Sequence, residues 1–335
     1  MKKAIKFVLS SMLTLVLIFV LVGSGYCKDS KVFKLGNVQA TTLLVQKGLA
    51  RFADLVKERT KGEIEVQVFP ASQLGTEQEI LEGVQLGTIH IFEGSTGAVG
   101  RFLPELEAFA GPYIWRDQDH LLKTVRGPLG EHLTQKLLKN YPMRILDMGW
   151  VFGKRNLTTK NTPVRKPSDM KGLKIRVQPV TIYLETIKGM GGNPTPIDWK
   201  EVYMALQTGV ADGQENPFNV IYTAKLFEVQ KYLMLTEHML QNQSVVISEK
   251  VFQSLTPEQR RIIQQSVIDA GNYQNDLIAK DDVESLEKLK QAGMTVIGPK
   301  EGLDREAFRK GTRYVFDLFK DKWEKGFFER IQAVK

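Results

Sequence analysis

Most of the side chains that could do covalent or metal chemistry are badly placed for it. The histidines are His90, His120, His132 and His238, and no two stand at zinc-ligand spacing. Cys27 is the only cysteine, which rules out thiolate metal sites and an intrachain disulfide. Glu93-Gly94-Ser95-Thr96-Gly97 approaches a nucleophile elbow, but Glu93 stands where the first glycine belongs. Gly153-Lys154 fails as a phosphate loop because Met148 occupies the first glycine position, and the chain has no dinucleotide glycine fingerprint. No catalytic residue, metal or cofactor is therefore expected. Among the ionic groups, Arg176 lies opposite Leu173, Ile175 and Val177 in an alternating segment. Alternation alone makes it a solvated strand residue.

The segments around these residues read as α/β. Lys31 to Leu35 is a short strand, and Thr42 to Arg59 a helix with Leu44, Leu49, Phe52, Ala53 and Val56 near helical spacing. Ile64, Val66 and Val68 alternate in a strand from Glu63 to Phe69. A helix through Ile80, Leu81 and Val84 follows, then a strand from Gly87 to Phe92. That order implies a right-handed crossover in a parallel sheet. The pattern recurs from Gly172: strand to Gln178, helix to the Gly191-Gly192 pair, and an extended Pro194 to Ile197. Asp198 and Glu201 stand as a capping box for a helix ended by Gly209. Gln85-Leu86-Gly87-Thr88-Ile89-His90 echoes Gln207-Thr208-Gly209-Val210-Ala211-Asp212. The echo implies two similar lobes, each an open sheet, facing each other across a cleft at the carboxyl ends of their strands. Thr256-Pro257-Glu258-Gln259 starts a helix that runs towards Gln291, long enough to brace both lobes. Gly293 to Ile297 is a short strand, and helices rich in Phe and Tyr fill Asp304 to Ile331. No low-complexity linker occurs, so short hinge strands should join the lobes.

From Gly172 to Leu233 the motifs become specific. They are Gly172-Leu173-Lys174-Ile175-Arg176, Gly191-Gly192-Asn193-Pro194-Thr195-Pro196 and the run from Glu201 through Gly213-Gln214-Glu215-Asn216-Pro217. With Phe69-Pro70, Ser72-Gln73-Leu74-Gly75 and Gly87-Thr88, the chain resembles the solute receptors of TRAP transporters, the tripartite ATP-independent periplasmic systems. The resemblance covers nearly the whole mature chain. It implies two α/β lobes, a hinge, a bracing helix and the binding of organic acids. It also turns Arg176 into the ligand-binding arginine, whose planar fork of donors matches a carboxylate. Arg155, in Gly153-Lys154-Arg155-Asn156-Leu157-Thr158, becomes a second candidate, with a hinge salt bridge as the alternative. Asn216 is a ligand contact or a cap before Pro217. Glu215 accepts from ligand hydroxyls, orients Arg155, or is a surface charge. Trp199 covers the ligand's apolar side or packs in the core. In the amino-terminal lobe the resemblance points to Gln39, Glu77 and Ser95, and near the cleft to His238. Sialic-acid receptors carry an acid where Ser95 falls, which argues against sialic acid.

The amino terminus sets the compartment. Lys2, Lys3 and Lys6 precede an apolar run from Phe7 to Val22, then Gly23, Ser24 and Gly25, the order of a secretory signal peptide. Tyr26 is too bulky for lipid attachment at Cys27. The expected division is a signal peptide over 1–27, lobe I over 28–152 plus 241–282, and lobe II over 153–240 plus 283–335. The precursor carries +8. Loss of the three leader lysines leaves 43 basic and 38 acidic residues, or +5, interspersed and without a nucleic-acid patch. The expectation is a periplasmic monomer that binds a small carboxylate-containing solute and hands it to membrane permease subunits. A binding protein of another import or sensing system, and an exported hydrolase, are the rival readings.

Overall fold

The computed structural model describes residues 30–335, so the expected signal peptide and Cys27 lie outside the described residues. The first elements are β1 (Lys31–Gly36), α1 (Leu44–Arg59), β2 (Ile64–Phe69), α2 (Glu77–Leu86) and β3 (Ile91–Ser95). The second α/β run is β4 (Met143–Thr159), β5 (Lys174–Val177), α3 (Thr181–Gly189), β6 (Asn193–Pro196), α4 (Val202–Thr208), β7 (Gly213–Asn216) and α5 (Phe218–Thr223). The chain then returns through β8 (Tyr232–Ser248), the helix α6 (Pro257–Gln291) and β9 (Thr295–Ile297).

The echo seen in the sequence is real in three dimensions. Gly87 ends α2 at φ 77° and ψ 15°, and Gly209 ends α4 at φ 79° and ψ 17°, a left-handed geometry that suits glycine. Each turn feeds a strand that pairs in parallel with an earlier one: Leu35 faces Ile91, and Ile175 faces Gly213. Two expectations fail locally. The strand expected from Gly87 begins only at Ile91, because the tight turn at Gly87 uses up Thr88 to His90. The capping box at Asp198 does not form either. A 3-10 turn over Trp199–Glu201 precedes α4, and the Asp198 side chain caps nothing.

The larger correction concerns the sheets. They are continuous, in the order β2-β1-β3-β8-β4-β7-β5-β6, with β9 beside β8. The expected short hinge strands are β4 and β8, of 17 residues each, paired antiparallel from Met143–Ser248 to Thr159–Tyr232. At about 3.3 Å per residue each spans roughly 55 Å, enough to serve both lobes. Parallel strands flank this ribbon on either side, and the two-lobed α/β fold stands.

The ribbon is irregular at its middle. Register shifts fall between Ile145 and Asp147, Asp147 and Trp150, Val151 and Gly153, and Arg155 and Leu157. Bulges free backbone groups that burial would otherwise leave unpaired. The brace supplies the partners. On α6, Asn275 accepts from Val151 N–H at 2.8 Å and donates to the Gly149 carbonyl at 2.8 Å, while Gln274 donates to the Val151 carbonyl at 2.9 Å. This 35-residue helix opens with the expected Thr256–Gln259 capping box and packs on α1, β4 and α5.

Close approach of brace and ribbon depends on Trp150, which is fully buried. A Cβ on Gly271 would lie 2.7 Å from Trp150 Nε1, whereas a Cβ on Gly62 would meet nothing within 4 Å. Gly271→Ala should therefore cost about 2–3 kcal/mol in urea unfolding through overpacking, clearly more than the same change at Gly62. Gly62→Ala should cost about 1 kcal/mol, from its positive φ alone. Equal costs for the two variants would show that helix and ribbon are not close-packed.

Candidate functional site

A cavity of about 190 Å³ opens where β1, β5 and β7 end. This is the carboxyl edge of the parallel strands, the usual ligand position in such sheets. Five of the nine expected residues line it: Gln39, Glu77, Arg176, Trp199 and Asn216. Arg155, Glu215, Ser95 and His238 are not among its lining residues; Arg155, Glu215 and His238 form a buried polar network, and Ser95 is buried against Tyr183. Sequence reasoning missed Phe152, Gln178, Arg101 and Lys200, which also line the cavity. Gln178 had a usable signal, since it stands two residues beyond Arg176, just past the carboxyl end of β5. The position of Arg101 depends on the path of a loop, and no local pattern marks it.

Arg176 is buried, not the solvated residue that alternation suggested. Both faces of β5 are covered beyond its first residue. Its Nε and Nη2 donate to the Ile197 carbonyl at 2.9 and 2.7 Å, which fixes the plane of the guanidinium. Nη1 has no partner. The Trp199 ring lies beneath it, with the guanidinium carbon 5.6 Å from the ring centroid, a cation–π distance. Trp199 thus lines the cavity and packs against the apolar clusters at once. Burial and the like charge of Arg155 bring Arg176 down to about 10, still charged at neutral pH.

Arg155 is fully buried and already paired. It donates through Nε and Nη2 to the Glu215 carboxylate, through Nη2 to the Glu215 carbonyl, and through Nη1 to Gln241 Oε1. A bulge at Gly153, whose φ of 123° suits glycine, leads into this part of β4. His238 Nε2 donates to the same Glu215 carboxylate at 3.1 Å. Its Nδ1 lies 2.8 Å from the Thr236 hydroxyl, which accepts from Leu157 N–H. Burial would raise the Glu215 carboxyl, but Arg155 and His238 outweigh it and hold the group at about 2. Asn216, next in β7, lines the cavity and donates to Gln214 Oε1 at 2.6 Å.

The other wall comes from α2 and β3. Glu77 Oε1 accepts from Ser95 N–H at 3.0 Å, and Ser95 Oγ meets the Tyr183 hydroxyl of α3 at 3.1 Å. Arg101 donates to the Pro179 carbonyl at 2.7 Å. The last two bonds tie this wall to α3 and to the segment between β5 and α3. Glu93 is completely buried and neither carboxylate oxygen has a partner. Burial, and then the charge of Glu77, push its pKa well above the usual 4.5. Gln241, Asn242 and Gln243 add further unpaired buried polar atoms from β8.

Two stability effects follow. Glu215→Ala leaves Arg155 buried without its counter-ion and should cost about 3–5 kcal/mol in chemical unfolding. Glu93 acts in the opposite sense. The unfolded chain loses this proton near pH 4.5 and the folded chain keeps it, so stability falls as pH rises above 4.5. Glu93→Gln should raise the melting temperature at pH 8, with the gain fading towards pH 4.5. A gain independent of pH would mean that Glu93 is ionised in the fold.

Residues 35–322 match the family described as DctP, bacterial extracellular solute-binding protein family 7. The chain is 38% identical over 258 residues to the 2,3-diketo-L-gulonate-binding periplasmic protein YiaO of Escherichia coli, covering 77% of each chain. It is 35% identical over 284 residues to the sialic acid-binding periplasmic protein SiaP of Vibrio cholerae, covering 84% of this chain and 87% of that one. A TRAP periplasmic solute-binding protein from Polaromonas, solved bound to D-erythronate, superposes with a TM-score of 0.86 at 32% identity, over 91% of this chain and 99% of that one. Among the described residues no helix is long and apolar enough to cross a membrane, and no cluster of three or more His, Cys, Asp or Glu could hold a metal. The chain belongs to the DctP family of extracellular solute-binding proteins, the receptors of TRAP transport systems.

Proposed function

We propose that this chain is the periplasmic receptor of a TRAP-type transporter, capturing a small organic acid by an Arg176–carboxylate pair and delivering it to membrane permease subunits. The observation that carries this reading is the state of Arg176: buried, oriented by Ile197, stacked over Trp199, lining the cavity, and short of one partner at Nη1. A ligand carboxylate end-on to Nη1 and Nη2 supplies what the fold leaves out. Asn216 and Gln39 stand on the same cavity to receive its other polar atoms. Arg155, fixed by Glu215 and His238, holds the β4–β7–β8 wall rigid behind the lining.

Capture proceeds by closure. The lobes divide near 152/153 and 240/241, where the ribbon carries a bulge between Val151 and Gly153. Opening breaks the Ser95–Tyr183 and Arg101–Pro179 bonds, and an anion that bridges the walls favours their return. The residues of the site bind without transferring a proton or forming a covalent bond, so the acid leaves unchanged. The segment over 1–27 exports the chain, which works as a monomer.

A thermal-shift screen against small organic acids tests this reading. A ligand at a hundred times its dissociation constant adds about 2.7 kcal/mol of stability. Arg176→Ala should keep the fold and weaken binding at least ~30-fold, the scale of a buried charge-paired contact. Arg176→Lys, which keeps charge but loses the fork, should fall between. An Arg176→Ala protein with native affinity, or a bound acid recovered chemically altered, would overturn the assignment.

A further inference from the structure

We propose that the acid taken by this cavity is a polyhydroxylated monocarboxylate, and that Glu77 is the residue that turns dicarboxylates away; the proposal rests on the receptor reading above.

The argument starts from donors and acceptors. Glu77 is the first residue of α2, fixed by the Thr76–Glu79 capping box, and its Oε1 is engaged by Ser95 N–H. Gly94 keeps the space beside it clear, since a Cβ there would lie 2.6 Å from Glu77 Oε1. The carboxylate is thus held in a built position on the cavity, with Oε2 not engaged by the protein. On the facing segment, Gln178 Oε1 is buried and has no partner. Both atoms are acceptors and both need a donor from the ligand. An ionised carboxylate has none, whereas a hydroxyl donates and accepts.

The charges agree. Arg155 is neutralised by Glu215. Of the cations that line the cavity, Arg176 is the buried one. Arg101 and Lys200 are exposed at the rim, where Arg101 is hydrogen-bonded to Gln78 and the Pro179 carbonyl and keeps its charge. Inside, the one buried cation of the lining, Arg176, shares the space with the Glu77 carboxylate. A first carboxylate pairs with Arg176. A second would be pressed against Glu77 in about 190 Å³, without a buried counter-charge. Rejection of a rival ligand by a repulsive group inside the site is an ordinary source of specificity. The amides of Gln39, Gln178 and Asn216 then serve a row of hydroxyls, each amide able to donate and accept.

The test compares aldonates of four to six carbons with α,ω-dicarboxylates of the same lengths, by titration calorimetry at pH 8. At least one aldonate should bind ~10-fold or more tightly than every dicarboxylate, a difference of about 1.4 kcal/mol. Glu77→Gln retains an acceptor for Ser95 N–H and removes the charge. It should narrow or invert that ratio by at least ~10-fold, chiefly through tighter dicarboxylate binding. Arg176→Lys should weaken both series alike. Dicarboxylates that bind the native protein as well as the best aldonate, or a ratio unmoved by Glu77→Gln, overturn the proposal and leave the receptor reading intact. Binding of neither series overturns this proposal, and the organic-acid screen then decides the receptor reading.

Discussion

Arg176 is kept out of water in a fold that gives it too few hydrogen-bond partners. Burial of an ionised group with an unmade bond is costly, and a sequence selected for stability alone would exchange it for something apolar. Here the surroundings do the reverse. Ile197 holds two of its donor nitrogens, Trp199 supports its face, and Nη1 is left over at the edge of a small cavity. Nearby, unpaired polar atoms on Gln178, Glu93, Gln241 and Gln243 repeat the theme. The site is lined and backed by polar groups that their own chain leaves incomplete.

Rigidity of the surroundings makes that incompleteness useful. Arg155 is spent on Glu215, and Glu215 is shared with His238, so β4, β7 and β8 are tied at the level of the site by charge-assisted bonds in a dry interior. Asn275 and Gln274 of the bracing helix repair the backbone where bulges interrupt the ribbon. The ribbon can be irregular at its middle without exposing or stranding its peptide groups. Two bonds across the cavity, Ser95 with Tyr183 and Arg101 with Pro179, are single hydrogen bonds. Bonds of that kind are worth about 0.5–1.5 kcal/mol each, small enough for a ligand to decide the balance.

Much of this was legible in the chain. The Gly87 and Gly209 turns, the Thr256–Gln259 start of the long helix and the alternation before Arg176 are local, and each predicted its element to within a few residues. The two errors of element were local as well. Thr88 and Ile89 have strand propensity but are consumed by a tight turn, and Asp198 has the type of a cap without the geometry of one. That Glu215 orients Arg155 is one of several readings the sequence leaves open, and the pairing of β4 with β7 brings the two, 60 residues apart, together as an ion pair.

The sequence by itself determined the α/β alternation, the repeated lobe unit, the bracing helix and the residue types able to hold an anion. These are consequences of period, turn chemistry and capping, which act over a few residues. Tertiary structure alone decided that two long strands merge the lobes into a continuous sheet, that Arg176 is buried and Arg155 already satisfied, and that Glu77 and Gln178 face the same small space. Burial and partnership are set by which distant segments come to lie against a residue, and no local pattern encodes that.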